Sequence, residues 1–257
     1  MGQFYLVQKC ATMGFMIITA INHSKNVTPG DLSLIVQANA RQMRLHVGPT
    51  WGKYPASITL GTGGFPLAIF DTPDQASVLG YHSEGPDGRP YGKVFVQPVL
   101  DAGGRVLDGP DSIASVFSHE AIELFIDPAC NGWAEAPNGR LYALEACDAV
   151  EGDSYVILIG GKAVTVSNFV LPAWFDANPS PGEHFDYLGK LTAPFTMTKG
   201  GYVIYRAAGS EKSVFAELGE EFRAHKMLGK KHPAARTSRR GASFPGSITP
   251  PGAGATA

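Results

Sequence analysis

His119 and Glu123 stand four residues apart in the run Ser118-His119-Glu120-Ala121-Ile122-Glu123-Leu124-Phe125-Ile126-Asp127-Pro128. On a helix that spacing puts an imidazole and a carboxylate on one face, about one turn apart. Both can then reach one metal ion. Glu120 lies beside the pair and is suited to take a proton from a water that the ion activates. The plain alternative is an amphipathic helix whose acids, Glu120, Glu123 and Asp127, simply face solvent.

The pattern differs from H-E-x-x-H in having Glu123 where the second His would stand. A catalytic zinc takes about three protein ligands and an open position, so a further ligand is needed. The next acids lie in Leu144-Glu145-Ala146-Cys147-Asp148-Ala149-Val150-Glu151. On one continuous strand Glu145 and Asp148 point to opposite faces, so one of them completes the site, Glu145 being the first choice. Asp127 also falls on the His119 side, but an Asp before Pro128 reads equally well as a helix-end turn. A carboxylate-rich set selects zinc less sharply than several imidazoles do, so Zn2+ is the expected ion and another divalent cation an alternative. His46, His82 and His184 read as structural or surface imidazoles. Tyr142 and Tyr155 have phenols that can support an oxyanion, though aromatics in strands more often fill a core.

The elements that must hold these groups can be followed along the chain. Residues 14–21 form a short apolar strand. Thr28-Pro29-Gly30-Asp31 then caps and opens a helix with Leu32, Ile35, Val36 and Met43 at helical spacing. Residues 56–60 and 66–71 read as strands separated by the glycines of 61–64. After a polar stretch, 92–100 resumes a strand that Pro98 assigns to a sheet edge. Gly109-Pro110-Asp111-Ser112 opens the motif helix, which should run to about Asp127. Strands follow at 139–150, 154–159 and 162–170, then an ordered loop over 172–200 and a last strand at 201–207. The fold class expected is α+β, with domain 1–207 followed by an arm, 208–257.

With 257 residues and 44% hydrophobic content the chain can bury one substantial core. Its formal charge of −2 conceals a segregation: Arg223, Lys226, Lys230, Lys231, Arg236, Arg239 and Arg240 fall in a segment without acids, leaving −9 on the remainder. That basic arm suits an acidic protein surface or, less specifically, nucleic acid. Residues 241–257 are Gly, Pro, Ala, Ser and Thr and are expected to be disordered. Cys10, Cys130 and Cys147 form neither an even set nor a C-x-x-C pair, which argues against a disulfide framework. No signal peptide or spanning segment is legible, so the expected location is cytoplasm or an assembly packaged from it, with no membrane partner.

The runs SHEAIELFIDP, EACDAVEGDSY, SNFVLPAWFD and APFTMTKGGY together resemble a family of largely uncharacterised phage and bacterial proteins bearing S-H-E-x-x-E-x-x-x-D-P. The resemblance covers most of residues 50–206. It implies a zincin-like mixed sheet with a central metal-site helix, then a β-rich segment and the flexible basic arm. It also implies a zinc-dependent peptidase acting on a peptide or protein, with His119 and Glu123 binding metal beside Glu145 or Asp148, and Glu120 as base. The alternative is a non-catalytic virion structural or accessory protein that keeps this fold and meets other virion proteins through its arm; virion or host cytoplasm is then the location. In the peptidase reading the 92–100 edge strand pairs with the extended substrate.

Overall fold

The computed structural model describes residues 16–52, 56–75 and 78–216. Cys10, the start of the expected first strand and the basic arm from residue 217 onward lie outside the described residues. The architecture is α+β.

Strand β1 (Met16–Asn22) leads into helix α1 (Pro29–Gln42), opened by the expected capping box. The Thr28 hydroxyl accepts from Asp31 N–H, and the Asp31 carboxylate accepts from Thr28 N–H. One widened helical turn, Met43–Val47, joins α1 to the short α2 (Gly48–Trp51). Strands β2 (Ala56–Leu60) and β3 (Phe65–Phe70) both lie parallel to β1, one on each side. The link between them must therefore cross β1 in four residues. Gly61, Gly63 and Gly64 all take positive φ there, and a Cβ on Gly64 would lie 2.2 Å from the Ile17 carbonyl oxygen. Only glycine allows that approach.

Strands β4 (Gly80–Glu84) and β5 (Pro90–Phe95) complete a five-stranded sheet in the order β2-β1-β3-β5-β4, with β4 alone antiparallel. This corrects two expectations. The strand expected at 92–100 ends at Phe95 and is internal, paired with β3 and β4 on its two sides. Residues Val96–Asp101 form helix α3 instead. Pro98 sits in the first turn of α3, where a missing N–H removes no helical hydrogen bond, so it marks a helix start and not a sheet edge. The edge on this side is β4, within a segment that reads as polar loop.

Helix α4 (Ile113–Ile126) begins at Ser112, whose hydroxyl accepts from Ser115 N–H at 3.1 Å, and all of its residues are buried. It packs between β4 and β5 on one side and β9 on the other. After it come β6 (Trp133–Glu135), β7 (Leu141–Ala143), the hairpin of β8 (Ser154–Ile159) with β9 (Lys162–Ser167), and β10 (Tyr202–Ala207). Residues assigned to the arm from 208 onward continue the fold: Ser210–Phe215 is strand β11, antiparallel to β10. The long connection before β10 is ordered around Trp174, 1% exposed, whose indole N–H donates to Thr196 O at 2.8 Å.

The strand expected over 139–150 is only β7. The chain leaves the sheet after Ala143 and makes a 3-10 turn at Asp148–Val150. Glu145 and Asp148 are thereby freed from strand alternation, and both turn toward α4.

Candidate metal centre

His119 and Glu123, one turn apart on α4, bring Nε2 and Oε2 to 3.3 Å of each other. Asp148 Oδ1 approaches the same His119 Nε2 at 3.2 Å. The three donors form one group able to hold an ion. Glu123 is aimed by its other oxygen, Oε1, which accepts from Cys147 N–H at 3.0 Å. The backbone just before the 3-10 turn therefore fixes the Glu123 carboxylate, while the turn itself delivers Asp148.

Ser118 fastens the helix from behind. Its hydroxyl donates to Gln42 Oε1 at 2.7 Å and accepts from Ser167 N–H at 2.9 Å. Gln42 Nε2 in turn donates to Ser167 O at 2.9 Å and to the Tyr155 hydroxyl at 3.1 Å. The Ser of the S-H-E signature thus joins α4, α1 and β9 through buried polar groups. Ser118→Ala leaves the Ser167 N–H without its acceptor, and is expected to cost about 1–3 kcal/mol of unfolding free energy in urea titrations.

The other expected residues divide between this group and its surroundings. Glu120, 5% exposed, lies between the His119 group and β4, with its Oε2 3.9 Å from His82 Nδ1. Of the two candidate third ligands, Asp148 joins His119. Glu145, the first choice from sequence, instead lies behind His82, its Oε2 3.7 Å from Nε2. Asp127 accepts from the N–H groups of Asn131 and Gly132 at 3.1 and 2.9 Å, the turn role that its place before Pro128 allowed. Tyr142 packs in the core among Trp174, Phe195 and Tyr205. Tyr155 bonds His46 Nδ1 at 2.7 Å, and the His46 ring stacks on Tyr187.

His82, read from sequence as a structural or surface imidazole, is a buried group that the sequence did not place beside α4. It is fully buried, and β4 points it at α4. Its Nε2–H donates to Asp127 O at 3.1 Å, and its Nδ1 lies 3.6 Å from Glu123 Oε2. The one available signal was Gly80 two positions earlier on the same strand face: a Cβ there would lie 2.7 Å from Glu120 Oε1.

Electrostatics follow from crowding. Glu120, Glu123, Glu145, Asp148 and Asp127 are all at most 5% exposed, against two imidazoles. Burial pulls the His119 pKa down, but Glu123, Asp148 and Glu120 around it reverse this and carry it to about 10. Burial lifts Glu123 above the usual carboxylate range, with Asp148 and Glu145 adding to the rise and His119 opposing it. Burial likewise opposes charge on His82, yet its neighbours Cys130, Glu145 and Glu120 raise it well above the ordinary imidazole value. Buried carboxylates in excess over cations need a counter-charge. The donors open on a cavity of about 60 Å3 lined also by Gly80, Tyr81, Asp111 and Tyr202.

No protein-family model, curated protein or solved structure matches this chain. No helix among the described residues is long and apolar enough to cross a membrane.

Proposed function

We propose that this chain is a metal-dependent peptidase of the zincin-like type. In this reading His119, Glu123 and Asp148 hold a divalent ion, zinc foremost, and Glu120 accepts the proton. The observation that carries it is the approach of His119 Nε2 to the Glu123 and Asp148 oxygens at 3.3 and 3.2 Å. Ligands of an ion bound at roughly 2.0–2.2 Å in tetrahedral geometry lie about 3.4 Å apart. The excess of buried carboxylates over imidazoles fits the same ion.

Bound there, a divalent ion supplies Lewis acidity that polarises a carbonyl and makes water nucleophilic near neutral pH. The chain's own residues do the rest. Glu120, on the turn between the ligands, takes the proton from water and returns it to the leaving amine. The Cys147 N–H holds Glu123 in its ligating orientation. Strand β4, the antiparallel edge whose first residues line the cavity, offers backbone groups to an extended peptide and draws its carbonyl toward Glu120.

Zinc affinity of the purified chain and its variants tests the ligand assignment. His119→Ala and Asp148→Ala should each lose more than the roughly 10–100-fold expected for removing an outer partner such as Glu145. Equal losses for Asp148→Ala and Glu145→Ala would refute the choice between them.

Proton coupling gives a second test. His119 keeps its proton up to about pH 10 in the ion-free chain, so an ion must displace it. Its raised pKa contributes stability that is present below the unfolded value near 6.5 and fades as pH rises toward 10. Metal binding has the opposite slope, strengthening up to about tenfold per pH unit across that window. Calorimetry in buffers of different ionisation enthalpy should register at least about one proton released per ion near pH 7.5.

A non-catalytic virion role, in which the cluster only holds an ion, has one observation in its favour. Every donor is less than a tenth exposed, and the cavity has room for a few waters. Stoichiometric metal with no hydrolysis of any unfolded protein substrate would select it.

A further inference from the structure

From the geometry around His82 we infer a second cation site beside the first, formed by His82 Nδ1, Glu120 Oε2 and Glu123 Oε2, with Glu123 shared between the two ions. The inference shares Glu123 and Glu120 with the proposed peptidase centre, Glu120 giving Oε2 to the ion and keeping Oε1 for the proton, but it does not depend on hydrolysis.

The argument begins with the direction of one hydrogen bond. A backbone carbonyl only accepts, so the 3.1 Å contact between His82 Nε2 and Asp127 O fixes the proton on Nε2. Glu145 Oε2, 3.7 Å from the same nitrogen, lies on that side too. Nδ1 is the opposite nitrogen, and it faces two carboxylate oxygens: Glu123 Oε2 at 3.6 Å and Glu120 Oε2 at 3.9 Å. In a fully buried ring, Nδ1 forms no hydrogen bond, and neither does Glu120 Oε2. Both separations exceed the 2.7–3.2 Å span of an N–H···O bond. They resemble the spacing of ligands around one ion, about 3.4 Å for tetrahedral bonds of roughly 2.0–2.2 Å and wider when the arrangement flattens.

The surroundings of His82 match those of a ligating imidazole, which gives its remote N–H to a carbonyl or carboxylate that sets the tautomer. Asp127 O and Glu145 stand where those partners belong. Glu123 Oε2 is the hinge of the pair, 3.3 Å from His119 Nε2 on one side and 3.6 Å from His82 Nδ1 on the other. Since Oε1 is engaged by Cys147 N–H, one oxygen bridges both positions. The two groups of donors share that residue and no other. An imidazole with two carboxylates is a hard donor set for which Mn2+, Mg2+ or Zn2+ is suited. Ions so bridged fall about 3.5–4 Å apart, the spacing that clamps both an attacking and a leaving oxygen.

The test uses the full chain stripped of metal by chelation and then equilibrated with Mn2+ at pH 7.5. Wild type should bind about two Mn2+ per chain, and its electron paramagnetic resonance should show the exchange broadening of a bridged pair. His82→Gln and Glu120→Gln should each retain one uncoupled ion with a sharp six-line spectrum. His119→Ala should retain the other. Two variants guard against one failing to fold, and circular dichroism reports folding for each. One ion per chain in wild type, lost in His119→Ala and unaffected in His82→Gln, would overturn the second site and leave the proposed function standing. One ion lost in both His variants would mean a single mixed site and overturn it as well. No bound ion at all would remove both readings.

Discussion

Replacing Glu120 by Gln is expected to lower hydrolysis of an unfolded protein substrate by about 100-fold or more, the usual contribution of a positioned proton acceptor, while the ion on His119, Glu123 and Asp148 stays bound. The two outcomes separate because Glu120 is no part of the His119 group. The amide keeps the shape of the carboxylate and its fit against Gly80, so what is lost is basicity together with the Glu120 ligand of the inferred second ion, while the His119 group is untouched. Glu123→Ala should behave in the opposite way, losing ion and activity together, since Glu123 lies within 3.3 Å of His119 Nε2. Turnover and metal content measured on the same preparations decide between these roles. If Glu120→Gln and Glu123→Ala shed the His119-bound ion equally, the division of labour on α4 is wrong.

The second large effect is on stability. Asp186 is 1% exposed, and its two oxygens accept from Asn168 Nδ2 at 2.8 Å, Leu188 N–H at 3.1 Å and Leu191 N–H at 2.7 Å. Asn168 Oδ1 accepts in turn from Phe169 N–H and Leu188 N–H. This network organises the turn after β9 and part of the long connection that precedes β10. Asp186→Ala strands the Asn168 Nδ2 and Leu191 N–H donors at once, while Leu188 N–H keeps Asn168 Oδ1, so the expected loss is about 3 kcal/mol, read as a lower urea midpoint with little change in slope. Asp186→Asn keeps an acceptor oxygen and should lose less. A loss below roughly 1 kcal/mol in the Ala variant would mean that water replaces the carboxylate without strain.

Local chemistry made part of this structure legible. The Thr28–Asp31 capping box, the Ser112 cap and the i, i+4 pair of α4 are written in a few adjacent residues, and the structure has them as the sequence implies. What failed depends on partners far along the chain. Gly80-Tyr81-His82-Ser83-Glu84 looks like a polar loop because its polar side chains are buried against other polar side chains, not against a hydrophobic face. Pro98 suggests a sheet edge, although its tolerance comes from the first turn of a helix. Which of Glu145 and Asp148 comes near His119 depends on where one strand stops, and residues 141–150 contain no Gly or Pro to mark the stop. Only the backbone bond from Cys147 to Glu123 shows why the chain turns there.

The burial of α4 on every side has a kinetic consequence. Amide protons of a helix enclosed by β4, β5 and β9 exchange with solvent only through openings that approach full unfolding, whereas an exposed element such as strand β11 can open locally. His119, Glu120 and Glu123 therefore do not reach solvent by fraying of their own backbone. In the proposed metal reading an ion reaches these groups through the cavity lined by Gly80, Tyr81 and Asp111, and leaves through it. Ion release should then be slow relative to side-chain motion at the surface, and should depend on the size of the residue at position 80 more than on any change that weakens the helix.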